Sequence, residues 1–167
     1  MAPLRVARID FPYRREGRRA PDRAPKLMAS LRDEVAGLCD RWGTSSGHLV
    51  LGGRSMGGRI ASMVAAGADG MDPLPVAGLI LMSYPLHPPG KPDRCRTEHL
   101  PQLRCPVLLI SGDRDTFGTP AELAAAQELI SGPVTSVTLE RKGHDLKRAD
   151  DDVVAAVRDW LGPRNLD

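Results

Sequence analysis

Long apolar runs are missing from this chain. Nothing in its 167 residues approaches the ~18 consecutive apolar residues that a transmembrane helix needs, so no membrane span is expected. The opening MAPLRVARIDFPYRR lacks the apolar h-region of a secretory signal, which points to a cytoplasmic protein. Cysteine is scarce. Cys39, Cys95 and Cys105 are odd in number and lack metal-ligand spacing, which argues against a disulfide framework or a zinc site. Lysine is scarcer than arginine, and the arginines are scattered, as codon bias would leave them. Neither sign of charge dominates: 23 basic against 21 acidic residues give a net charge of +2. That balance supplies no general attraction to nucleic acid or to a membrane surface. Repeats and low-complexity tracts are also absent.

What remains is ordinary globular composition, with 41% apolar and 26% charged residues, enough for one domain over 1–167 with a real core. Short apolar runs alternate with longer amphipathic ones. LRVARIDF (4–11), HLVLGG (48–53), VAGLILMS (76–83), VLLISGDRD (107–115) and TSVTLERKG (135–143) read as strands. Between and after them, 27–42, 56–67, 121–130 and 151–162 read as helices. The first carries Leu27, Leu31, Val35 and Leu38 at helical spacing, the second is built of small residues, and the last has acidic residues at its N-terminal end. The basic, proline-containing stretch from Pro12 to Lys26 reads as an exposed loop. This order predicts an α/β fold, a mostly parallel sheet with helices on both faces. In such sheets chemistry collects in loops at the C-terminal strand ends.

Three of those ends carry chemistry. Gly53-Arg54-Ser55-Met56-Gly57 fits G-x-S-x-G and lies between a predicted strand and a predicted helix. A serine on that turn projects its hydroxyl above the sheet, and the Met56 N–H can stabilise negative charge on a substrate oxygen. The bland reading is a tight strand–helix turn. A phosphate loop fits poorly, because Gly58-Arg59 stands where Lys then Ser or Thr is required, and there is no G-x-G-x-x-G. A serine hydroxyl needs a base, and the base needs an orienting acid. Asp113 and Asp115 follow the 107–115 strand and His144 follows the 135–143 strand, giving the chain order Ser, Asp, His. Asp115 lies further into its loop and is favoured as the acid; Asp113 fits bracing of the loop through backbone N–H groups. Arg54 could meet an anionic substrate group, although a salt bridge to a loop acid is the plainer role. His87 could line the pocket, with surface packing preferred; His48 reads as structural at a strand start, and His99 as exposed.

GGRSMGGR, SYPLHPPGKP, SGDRDTFG and KGHDL, in that order, resemble the α/β-hydrolase superfamily. More narrowly they resemble its dienelactone-hydrolase-like branch, related to a testis-expressed protein and a histone-acetyltransferase-complex subunit. The resemblance implies Ser55 as nucleophile, Asp115 as acid and His144 as base, with no metal or organic cofactor. Dienelactone hydrolases carry cysteine as nucleophile, so Ser55 departs from that substrate. Against the resemblance the chain reads as N-terminally shortened, without the strands and Gly-rich loop that supply a second oxyanion donor. The preferred expectation is then a start further upstream; a homo-oligomer or partner covering an exposed sheet edge, or a degraded paralogue, are the alternatives. The functional expectation is a serine hydrolase acting on a small-molecule ester or thioester. Acyl transfer to another acceptor and a non-catalytic protein-interaction domain are the alternatives.

Overall fold

The computed structural model describes residues 4–162. Four parallel strands form one sheet in the order β1-β2-β3-β4: β1 Val50–Arg54, β2 Gly78–Met82, β3 Val107–Gly112 and β4 Val134–Leu139. The register sets Arg54 beside Met82 and Met82 beside Ile110, so the strands end along one line. Among the described residues five α-helices accompany the sheet: α1 Pro12–Arg15, α2 Ala24–Trp42, α3 Met56–Ala65, α4 Pro120–Gln127 and α5 Asp150–Leu161.

Apolar side chains fill both faces, as continuous apolar strands require. Leu79, Leu81 and Val107 join the larger core with residues of α2, α3 and α4. Leu108 and Ile110, with Val50, Ile80, Met82 and Val137 against them, pack under α5 and its Trp160. Leu27, Leu31, Val35 and Leu38 are buried along α2 as their spacing predicts, joined by Met28. Each such side chain contributes roughly 1.5–3 kcal/mol. Gly43 ends that helix in the left-handed conformation, φ 63°, where a side chain would be strained. The acidic start of α5 is Asp150, Asp151 and Asp152.

Three expectations need correction. Residues 4–10 form no strand and are exposed, with Val6 at 85%. An alternating apolar pattern makes a strand only when a neighbour supplies the ladder hydrogen bonds, and among the described residues none pairs with this segment. The other strands start within two residues of expectation, but β3 and β4 stop at Gly112 and Leu139, short of 115 and 143. Beyond those points the two chains leave the ladder and turn toward each other: the Asp113 N–H donates to the Leu139 carbonyl at 3.1 Å, and the Arg114 N–H to that of Lys142 at 2.9 Å. The expected loop at 12–26 holds α1 and the first turn of α2, each with proline in its first turn.

Candidate active site

Ser55 sits at the junction of β1 and α3 with φ 52° and ψ −121°, a conformation that costs a non-glycine residue about 1–3 kcal/mol. Its N–H donates to the Met82 carbonyl at 2.8 Å, and its own carbonyl accepts from the Arg59 N–H at 3.1 Å, so strand and helix both hold the turn. The close approach depends on glycine at two positions. A Cβ on Gly53 would lie 2.6 Å from the Gly57 carbonyl carbon, and one on Gly58 would lie 2.6 Å from the Gly53 carbonyl oxygen. A Cβ on Gly57 would meet nothing within 4 Å. Of the two motif glycines, then, only Gly53 is sterically required, and Gly58 outside the motif is its counterpart.

The β3 and β4 loops bring the remaining groups over this turn. His144 Nε2 is 2.8 Å from Ser55 Oγ, and its Nδ1 is 2.8 Å from Asp115 Oδ2 and 3.0 Å from Oδ1. A carboxylate only accepts, so Nδ1 carries the proton and Nε2 is left to accept from the serine hydroxyl. Asp115 is 3% exposed, and Oδ1 also accepts from the Phe117 N–H at 2.8 Å. The Phe117 ring stacks on the His144 imidazole, centroids 4.0 Å apart and planes inclined by 28°. That contact was missed in the sequence; an aromatic residue two positions beyond Asp115 was its one signal. The Met56 N–H is at the first position of α3, where no intrahelical acceptor exists.

The structure separates the two aspartates. Among the described residues the Asp113 side chain makes no hydrogen bond, and its buried Oδ1 has no partner. The expected bracing runs through its backbone N–H instead. Arg54 finds no loop acid either; its Nη1 donates to the Asp145 backbone carbonyl at 3.1 Å, reaching across to the His144 loop. His87 is buried rather than surface-packed, with Nδ1 2.9 Å from the Pro88 carbonyl and Nε2 3.3 Å from Glu122 Oε2. The Pro88 carbonyl, with Glu122 behind it, holds the His87 imidazole above its ordinary value. Glu122 closes the capping box of α4 with Thr119; the Thr119 N–H and hydroxyl, and then His87, hold its carboxyl down at about 2. His48 lies in a 3-10 turn rather than a strand, its Nδ1 3.1 Å from Ser45 Oγ.

His99 is the largest departure, buried where exposure was expected. Its Nε2 is 2.8 Å from Ser62 Oγ, and that hydroxyl donates to the Arg59 carbonyl at 2.8 Å. The serine proton being used there, His99 Nε2 is the donor. Burial, with the Arg59 charge adding to it, pushes His99 down to about 4.

A buried acid, an imidazole and a serine hydroxyl in line at the C-terminal end of a parallel sheet define the architecture of an α/β hydrolase. A model of the alpha/beta hydrolase domain matches residues 1–157, and the chain belongs to that family. It is similar to a serine hydrolase homologue from Coxiella burnetii, at 21% identity and TM-score 0.64 over 85% of this chain and 62% of that one. A thermophilic esterase from Thermogutta terrifontis is similar at 22% identity and TM-score 0.64, over 86% of this chain and 74% of that one. A metagenome-derived lipolytic enzyme follows at 14% identity and TM-score 0.67, over 86% and 75%. At these identities the likeness is one of fold, and the chain spans less than two thirds of the length of the Coxiella structure. Among the described residues no helix is long and apolar enough to cross a membrane.

Proposed function

We propose that this chain is a serine hydrolase that cleaves a small ester or thioester through an acyl-enzyme on Ser55. The observation that carries this reading is His144, whose two ring nitrogens each lie 2.8 Å from a partner, Ser55 Oγ on one side and Asp115 Oδ2 on the other. Ser55 Oγ attacks the acyl carbon while its proton passes to His144 Nε2. Asp115 fixes the imidazole tautomer and stabilises the imidazolium as it forms. The Met56 N–H donates to the developing oxyanion, aided by the positive end of α3. The tetrahedral intermediate collapses, the bond to the leaving group breaks, and His144 returns the proton to the departing oxygen or sulfur. Water, deprotonated by His144, then attacks the acyl-serine, releasing the acid and restoring the hydroxyl. Phe117 stacks on one face of the imidazole and limits its rotation. The likeness of the quoted motifs to dienelactone-hydrolase-like proteins agrees with a compact acyl substrate.

A fluorophosphonate reacts only with an activated serine, so intact-mass analysis after exposure to one tests the proposal. One adduct on the parent protein and none on Ser55→Ala is the expected result. A folded parent protein that takes up no adduct would overturn it.

A protein-interaction role is the second reading. It rests on the β1 edge, which has no strand beside it among the described residues, and on the exposure of Leu4 and Val6. Loss of labelling without loss of fold would favour it.

A further inference from the structure

Arg59 follows Ser55 by four residues, just over one helical turn or ~6 Å along the axis. Arg59 is tied to Ser55 across the first turn of α3, its N–H donating to the Ser55 carbonyl at 3.1 Å. It faces Tyr84, Arg96 and His99 closely enough for its charge to bear on all three. The backbones of both arginines are anchored. The Arg59 carbonyl accepts from Ser62 Oγ, the Arg96 carbonyl from the Tyr84 hydroxyl at 2.8 Å, and the Arg96 N–H donates to the Leu86 carbonyl. Arg96 Nη1 donates to the Pro85 carbonyl at 2.9 Å.

These two cations have no counter-charge in contact. Neither guanidinium pairs with a carboxylate among the described residues. The buried Arg59 Nε has no hydrogen-bond acceptor among the described residues. Arg32, equally half-buried, shows the usual arrangement, with a two-pronged grip on Asp69 at 2.7 and 3.0 Å. The groups around Arg59 and Arg96 are neutral near pH 7: burial lifts the Tyr84 hydroxyl to about 12 and presses His99 down to about 4. Glu98, the acid whose charge reaches Tyr84 and His99, is exposed. Two partly desolvated cations held side by side repel each other, and an oxyanion between them removes that repulsion while filling the idle donors.

We propose that Arg59 and Arg96 form an anion-binding subsite beside Ser55, and that the acyl substrate carries a carboxylate or a phosphate-type group which docks there. The one-turn spacing of Ser55 and Arg59 suits probes whose anion stands a few carbon atoms from the acyl carbonyl. The inference deepens the hydrolase reading and rests on Ser55 being the nucleophile, but the subsite binds anions whether or not the serine turns over.

Two readouts separate those possibilities. The first compares kcat/KM for 4-nitrophenyl hydrogen glutarate, its methyl-capped neutral counterpart, and the ester of 4-phosphonobutyrate. At least about a tenfold preference for one charged ester is expected, since hydrogen bonds to a charged group are worth that much. The ratio should collapse toward one in Arg59→Gln and in Arg96→Gln, and recover in part in Arg96→Lys. Whichever charged ester is preferred names the anion. The second readout is binding of monomethyl glutarate and dimethyl glutarate to Ser55→Ala by calorimetry, which needs no turnover. The half-ester should bind at least about tenfold tighter, and the added Arg96→Gln change should erase the difference. A protein that hydrolyses charged and neutral esters alike, or binds both glutarates alike, overturns the subsite and leaves the hydrolase standing. One that takes no fluorophosphonate yet prefers the half-ester through Arg96 keeps the subsite and rejects the hydrolase. Should Arg59→Gln fail to fold, Arg96→Gln and the parent protein's own preference decide.

Discussion

The Lys142 carbonyl oxygen occupies the space that a Cβ on Gly112 would need, and it accepts the Arg114 N–H at 2.9 Å. The loop bearing His144 therefore lies directly on the end of β3, and the loop bearing Asp115 is tied to it. Any side chain at 112 must lift one loop off the other. Gly112→Ala is expected to lower fluorophosphonate labelling of Ser55 by at least about tenfold, because a misplacement near 1 Å already costs about a hundredfold in rate. Circular dichroism should still report a folded chain, and labelling at the parent rate would refute the account.

The glycines around Ser55 separate in the same way. Gly53→Ala and Gly58→Ala each force a contact of 2.6 to 2.7 Å against backbone that cannot rotate away. Losses of about 1–3 kcal/mol or more are expected for each, as in other overpacked sites. Gly57 faces open space, so Gly57→Ala should leave thermal stability unchanged or slightly raised, helix propensity favouring alanine by up to about 1 kcal/mol. Thermal melts of the three variants check this. A destabilised Gly57→Ala would mean that the motif glycine packs against something after all.

The site was legible in the sequence because each of its parts sits at a strand end, and strand ends are marked locally by an apolar run that stops at glycine or aspartate. Ser55, Asp115 and His144 could each be placed without knowing a single long-range contact. What could not be read were pairings set by tertiary structure. His99 looks exposed among Thr97, Glu98 and Gln102, yet it is buried because Ser62, 37 residues away, supplies its hydrogen bond. Residues 4–11 alternate like a strand, but alternation says nothing about whether a neighbour is present to pair with. Arg54 reads as pairing with a loop acid and His87 as packed at the surface, whereas the partners they find, the Asp145 carbonyl and Glu122, lie 91 and 35 residues away.

Asp113 and Asp115 offer a sharp contrast for kinetics. Asp115→Asn replaces one of the two carboxylate oxygens facing His144 Nδ1 with an NH2 donor, and the corresponding change in a Ser-His-Asp enzyme costs about 10⁴-fold in kcat. Asp113→Asn changes a group whose buried oxygen has no partner. Its rate should therefore stay within a few-fold of the parent. Steady-state rates on a single activated ester compare the two, and a larger loss at 113 than at 115 would reverse the assignment.

His99 predicts how stability responds to acid. Its ordinary value is 6.5 and the folded protein holds it at about 4, by burial first and the Arg59 charge second, with Glu98 opposing. The unfolded chain therefore binds the extra proton between those two values, and stability must fall as pH drops through that window. Above 6.5 the contribution is complete; below 4 it is gone. The span corresponds to about 3 kcal/mol. His87 acts in the opposite sense, since its raised value stabilises the fold below 6.5 and loses that effect as pH rises. Comparing the parent protein with a single variant isolates the His99 part. His99→Gln keeps a donor for Ser62 Oγ but cannot take up a proton, so its urea midpoint should change less between pH 7 and pH 4.5 than that of the parent. Parallel losses in the two proteins would show that acid sensitivity arises at other groups.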